Sequence, residues 1–237
     1  MKIGFIGLGN VGGKLAGSLM RNGLNVSVHD LNQSFVEKFV EDGAKDGHSA
    51  QNLMQTCDVV ITCLPTPEAS GLVVKEMLPF VAVGKIWLEM STTDAKEVKN
   101  LAELIVAAGG EAVDCPVSGG CHRADTGNIS IYAGCVRETF EKVLPILSHM
   151  GRRILHTGPL GSATVLKVVT NYLATANLVS VSEALSTCAA AGMDLKTSYE
   201  AIKISSGTSF VHETESQVIL NGSRDISFTM DLVLKDV

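Results

Sequence analysis

Ile3-Gly4-Phe5-Ile6-Gly7-Leu8-Gly9-Asn10-Val11-Gly12 decides the fold. A short apolar run of strand type leads into G-x-G-x-x-G, and a helix-like stretch over Asn10–Asn22 follows. Gly7 permits the tight turn, Gly9 lets a pyrophosphate approach the backbone, and Gly12 lets helix and strand pack closely. Free N–H groups at the helix start then face the phosphates. Leu8, Asn10 and Val11 complete the expected cofactor loop. Alone the hexapeptide is weak, because a glycine-rich turn needs no ligand. Its place after a strand strengthens it, and so does Asp30, which follows the second apolar run, Val26–His29. A carboxylate at this spacing takes the ribose hydroxyls of NAD. It repels a 2′-phosphate, and Leu31-Asn32 follow it rather than the arginine that accommodates NADP. NAD is therefore the expected cofactor, with NADP second. The bland alternative makes Asp30 a cap for the helix after it.

Outward from this motif, strands are expected at Val59–Leu64, Ile86–Glu89, Ala112–Val117, Ile129–Ala133 and Ile154–Thr157. Helices are expected at Gln33–Glu41, Ser49–Gln55, Ala69–Leu78, Ala95–Ala108 and Glu138–Met150. Strands alternating with helices imply parallel β-α-β units. Beyond Gly158-Pro159-Leu160-Gly161 the texture changes. The stretch 162–192 has no proline, and no glycine before Gly192; as a helix it is about 46 Å long. Ser162 is the expected N-cap and Gly192 the stop. Shorter helices follow near Leu195–Ser205 and Phe210–Leu220. The expected fold class is α/β: a Rossmann-type dinucleotide-binding domain over 1–160, then an all-α domain over 161–237.

The 237 residues are 46% hydrophobic and 19% charged, enough apolar matter for a substantial core and too much for general disorder. Net charge is −6, without a run of five like charges, which argues against a nucleic-acid binder. No stretch is long and apolar enough to span a membrane. The first strand begins at once, with no leader before it, so a cytoplasmic location is expected. The six cysteines, at 57, 63, 115, 121, 135 and 188, are irregularly spaced and lack C-x-x-C. Reduced thiols are expected, and no metal site.

Two further segments carry chemistry. Asp114-Cys115-Pro116-Val117-Ser118-Gly119-Gly120 ends a strand in a Ser-Gly-Gly turn. A hydroxyl beside two accessible N–H groups can cradle a carboxylate, although such a turn is more often only a turn. Lys167 and Asn171 stand four apart on the long helix and share a face. A lysine on a mostly apolar face is unusual, but it can also snorkel to solvent.

With these residues in order, the chain resembles the β-hydroxyacid dehydrogenase family, which includes 3-hydroxyisobutyrate dehydrogenases and tartronate semialdehyde reductases. The matching motifs are Gly7–Gly12, Asp114–Gly120, Gly158 and Gly161 leading to Lys167 and Asn171, and the late pair Lys235-Asp236. Val11 replaces the family's methionine. The resemblance implies that Lys167 is the catalytic lysine, with Asn171 beside it holding substrate. It implies that Ser118, Gly119 and Gly120 cradle the substrate carboxylate. It also implies that Leu64, Pro65, Thr92 and Lys235 line the cofactor. His122 and Arg123, after Cys121, are candidates to meet a second polar or anionic group on the substrate; the alternative points both to solvent.

The implied reaction passes hydride between NAD(P) and a small β-hydroxy acid or semialdehyde acid. Lys167 would act as general acid in reduction and general base in oxidation. A free lysine, with a pKa near ~10.4, is charged at neutral pH, so an oxidative optimum above neutrality is expected. Family chains usually continue past the Lys-Asp pair, so the helical domain reads as C-terminally short, and a homo-oligomer is expected. The competing reading is a catalytically silent dinucleotide-binding scaffold or sensor. Imine reductases share the fold, but a lysine at this helix position argues against one.

Overall fold

The computed structural model describes residues 1–223 and 229–236. The chain divides into two compact units, Met1–Lys167 and Val168–Val237. The first opens with β1 (Ile3–Ile6), α1 (Gly12–Arg21), β2 (Val26–His29), α2 (Gln33–Glu41), β3 (Lys45–Asp46) and α3 (Ala50–Thr56). It continues with β4 (Val59–Thr62), α4 (Pro67–Met77), β5 (Ile86–Glu89), α5 (Ala95–Ala107) and β6 (Glu111–Asp114). Then come β7 (Val117–Ser118), α6 (Gly120–Asp125), β8 (Ile129–Gly134), α7 (Arg137–Ser148) and β9 (Gly151–Gly158). Helix α8 (Ser162–Ala190) starts in this unit and runs into the next, where α9 (Leu195–Lys203), α10 (Phe210–Asn221) and α11 (Met230–Asp236) follow.

The strand order is β3-β2-β1-β4-β5-β6-β8-β7, with β9 paired to β8. Strands β1 to β6 are parallel, whereas β8 runs antiparallel to β6 and β7. The order reverses between β1 and β4, where loops from the carboxyl ends of open α/β sheets form a crevice for ligands.

Parallel strands covered on both faces are apolar throughout, and strands β1, β4 and β5 are fully buried. Ile3, Phe5, Val59, Ile61, Ile86 and Leu88 point to one face and pack with α1 and α7 through Leu15, Leu19, Phe140 and Val143. Ile6, Val60, Trp87 and Ala112 point to the other, under Leu53, Val74, Met77 and Leu101 of α3, α4 and α5. Each fully buried aliphatic or aromatic side chain contributes roughly 1.5–3 kcal/mol, so the two faces dominate the stability of this unit.

Two expectations and one alternative reading need correction. The run read as one strand over Ala112–Val117 is two, β6 and β7, broken at Cys115-Pro116, because proline has no N–H for the ladder. Ser162 does not cap α8: it is the helix's first residue, and its Oγ lies 2.7 Å from Thr157 Oγ1. Asp30 does not cap α2; Asn32 does, accepting the Ser34 N–H at 3.1 Å. Gly192 does end the long helix, with φ of 75° and its N–H donated to the Ala189 carbonyl.

In the second unit, α9 and α10 are joined through a buried histidine. His212 Nε2 lies 3.0 Å from the Tyr199 carbonyl and Nδ1 3.0 Å from Ser216 Oγ, and the ring packs against the Tyr199 ring.

Candidate active site

The site-forming residues of the first unit come from the carboxyl ends of its parallel strands. After β1, Gly7 has φ of 95°, and a Cβ there would strike the Cys63 carbonyl. A Cβ on Gly12 would strike the Gly7 carbonyl. A Cβ on Gly9 would meet nothing within 4 Å. Gly7 and Gly12 are thus glycines for the turn and the helix packing, while Gly9 faces open space, as a close-lying phosphate requires. Gly9 and Asn10 are exposed and Leu8 is buried. Val11 precedes α1, whose start carries no side-chain cap; the Gly13 and Lys14 N–H groups there bond the Gly9 and Val11 carbonyls, and the positive end of the helix dipole favours an anion.

Asp30, half-buried after β2, accepts the Leu8 N–H at 2.6 Å and the Asn32 N–H at 2.8 Å. Its carboxylate therefore ties the glycine loop to the β2 turn and keeps lone pairs for ribose hydroxyls. These residues fit a dinucleotide.

After β4 and β5 the two turns are joined to each other. Leu64 donates its N–H to Ser91 Oγ at 2.7 Å, and Ser91 donates its N–H to Glu89 Oε1 at 2.8 Å. Leu64 and Thr92 are half-buried and Pro65 is exposed. Thr66 caps α4 through the Ala69 N–H.

After β6 the chain reaches the Ser-Gly-Gly turn. Gly119 and Gly120 have φ of 123° and 79°, values that a side chain would strain. Ser118 and Gly119 are half-buried and Gly120 is exposed. Arg123, on the first turn of α6, lays its aliphatic stem over Gly119: a Cβ there would sit 2.9 Å from Arg123 Cδ. His122 is exposed.

Asp114 is fully buried at the end of β6. It accepts the Thr164 N–H at 2.9 Å and the Thr164 hydroxyl at 2.6 Å. The Gly161 and Ala163 N–H groups also favour its charged form. Burial pushes its carboxyl above the ordinary aspartate value, and these donors at the helix start pull it back. An anion at a helix N-terminus is favourable, so Asp114, not Ser162, serves the start of α8. Lys167 lies three residues beyond Thr164 and is 8% exposed, and Asn171, one turn further, is 9% exposed. Their burial rejects a snorkelling surface lysine. The side chain of Lys235 lies outside what the structure describes.

Sequence reasoning missed the anchoring by Asp114 and the Leu64–Ser91–Glu89 link. Asp114 stood inside a quoted motif, but Thr164 is 50 residues away, and no local spacing signals that pairing.

The model of the NAD binding domain of 6-phosphogluconate dehydrogenase matches residues 2–158. That of the NAD-binding domain of NADP-dependent 3-hydroxyisobutyrate dehydrogenase matches residues 161–237. The chain belongs to the β-hydroxyacid dehydrogenase family. It is 33% identical to the 2-(hydroxymethyl)glutarate dehydrogenase of Eubacterium barkeri, over all of this chain and 80% of that one. It is 34% identical to the NAD-dependent L-serine dehydrogenase of Pseudomonas aeruginosa, over all of this chain and 83% of the relative. A solved Mycobacterium tuberculosis 3-hydroxyisobutyrate dehydrogenase with L-serine superposes with a TM-score of 0.92 at 24% identity, covering 99% of this chain and 83% of that one, which supports the fold. As a β-hydroxyacid dehydrogenase the chain is an NAD(P)-dependent oxidoreductase. Among the described residues no helix is long and apolar enough to cross a membrane.

Proposed function

We propose that this dehydrogenase oxidises a small β-hydroxy acid, or reduces the matching semialdehyde acid, with Lys167 as general acid and base. The burial of Lys167 one turn after the Asp114 anchor carries the reading: the strand that leads into the Ser-Gly-Gly turn also holds the start of the lysine's helix. The substrate class is that of 3-hydroxyisobutyrate or tartronate semialdehyde. The acids named in two relatives, 2-(hydroxymethyl)glutarate and L-serine, likewise carry a hydroxyl β to a carboxylate.

In this scheme Ser118, Gly119 and Gly120 hold the substrate carboxylate through a hydroxyl and backbone N–H groups, and Asn171 orients the reacting oxygen. Gly7 to Gly12, Asp30, Leu64, Pro65, Thr92 and Lys235 hold the dinucleotide, whose nicotinamide supplies or accepts the hydride. In reduction, charge develops on the carbonyl oxygen; a protonated Lys167 stabilises it and gives up its proton. In oxidation the neutral amine takes the alcohol proton. Arg123, held over the cradle glycine, receives a second polar or anionic group on the substrate. Asp30 supports NAD as the working cofactor.

The same reading assigns 1–160 to cofactor binding and 161–237 to substrate binding and self-association, in the cytoplasm. Exposed Val169, Tyr172, Leu173 and Val179 on α8 support association with a second copy. The lysine role is tested by Lys167→Ala. NADH binding stays near that of the parent while turnover falls about 10²–10⁴-fold; retention of substantial turnover rejects the role.

A further inference from the structure

Glu89 is 0% exposed, and nothing in the proposed chemistry uses it. It stands at the end of β5, in register with Thr62 on β4 and with Asp114 on β6. The three side chains therefore form a row on one face at the carboxyl edge of the sheet. Asp114 spends its carboxyl on the start of α8. Glu89 spends one oxygen on the turn after its own strand: Oε1 accepts the Ser91 N–H at 2.8 Å, and Ser91 Oγ accepts the Leu64 N–H at 2.7 Å. One carboxyl thus fixes the backbone on both sides of the β4–β5 pair, at Leu64 and beside Thr92.

From this connection we infer that Glu89 is a positioning residue for the cofactor: acting through Ser91, it sets the two turns that carry Leu64, Pro65 and Thr92. The inference rests on the dehydrogenase reading, which makes those turns cofactor contacts.

The carboxyl has a second neighbour. Glu89 Oε2 and Ser70 Oγ are both buried, and the Ser70 hydroxyl of α4 faces the same carboxyl. Burial pushes the carboxyl up, against the opposing pull of the Ser91, Ser70 and Thr62 groups.

The test is a set of three variants of the whole chain, read by NADH fluorescence titration and by the separate KM values for NADH and for the acid substrate. Ser91→Ala deletes the acceptor of the Leu64 N–H with minimal change in volume. It should weaken NADH binding and raise the NADH KM about tenfold, the effect of one buried hydrogen bond, with the acid KM unchanged. Glu89→Ala should do at least as much. Glu89→Gln keeps an acceptor for the Ser91 N–H, so it should hold binding to within about threefold of the parent. If Glu89→Ala fails to fold, Ser91→Ala and Glu89→Gln decide. NADH affinity indifferent to Ser91→Ala overturns the positioning role. A Glu89→Gln chain that binds NADH tenfold or more weaker than the parent overturns the claim that Glu89 acts as the acceptor of the Ser91 N–H. A parent that binds no NADH overturns the dehydrogenase reading itself, and this inference with it.

Discussion

On the β1–β2 side of the sheet edge, the candidate site is built from backbone: two glycines that must lack a Cβ, and one carboxylate holding their loop. On the β5–β6 side it is built from side chains: Asp114 on Thr164, Glu89 on Ser91, and Lys167 buried beyond them. The two sides therefore fail differently. The first is damaged by adding one carbon, the second by removing one polar atom. Both lie at the end of one sheet, so a change on either side can be compared at constant fold.

The largest effect should come from added volume on the backbone side. Gly12→Ala places a Cβ against the Gly7 carbonyl, and a displaced loop should weaken NADH binding about 100-fold, at the cost scale of core overpacking; isothermal titration measures it. Gly9→Ala, in open space, is the matched control: it should fold as stably as the parent, and any loss then belongs to the ligand. On the other side, Asp114→Asn replaces an acceptor with a donor against Thr164. Turnover should fall roughly 10–100-fold and Tm by about 5 °C or more, as expected for losing a buried charge-assisted bond, with NADH affinity kept. Equal loss of NADH affinity would erase the distinction between the two sides.

Asp30→Asn sharpens the contrast, because Asp30 holds its own loop and, in the proposed scheme, a ribose as well. NADH affinity should fall about tenfold, yet NADPH should not become preferred, since the loop is weakened for both; a clean reversal would contradict the loop-holding role. Smaller still is a pH effect. Burial pushes the Glu89 carboxyl above its ordinary 4.5, so the folded state keeps this proton to higher pH than the unfolded chain does. That contribution is complete below about pH 4.5 and is lost as pH rises through the folded value. Glu89→Gln carries no such proton, so its Tm relative to the parent should climb with pH; a constant difference would place the glutamate charged in both states.

How much of this was legible depended on distance along the chain. The strands β1, β2 and β5 and the helix α2 were readable to the residue, because burial on both faces demands short apolar runs between turns. The Gly7–Gly12 loop was legible because its six residues are contiguous and two of its glycines, Gly7 and Gly12, answer local steric needs. Lys167 and Asn171 were placed on one helix face by spacing, but their burial was not, since 3.6-residue periodicity does not say what covers a face. Asp114, Ser91 and Glu89 escaped because hydrogen bonds between ends of different strands have no sequence period. Residues 45–46 and 120–125 were missed as elements for a simpler reason: two and six residues are too few to show a pattern.

The most direct test of the central claim is turnover by the parent chain: NADH and NADPH oxidation, measured separately, against semialdehyde acids with and without a second carboxylate. The account predicts turnover with NADH in preference to NADPH. Arg123→Ala should lower activity toward the dicarboxylic members a few-fold, about the value of a partly exposed ion pair, and leave the others alone. NADH binding without turnover of any such acid would contradict the account and leave a silent dinucleotide-binding scaffold.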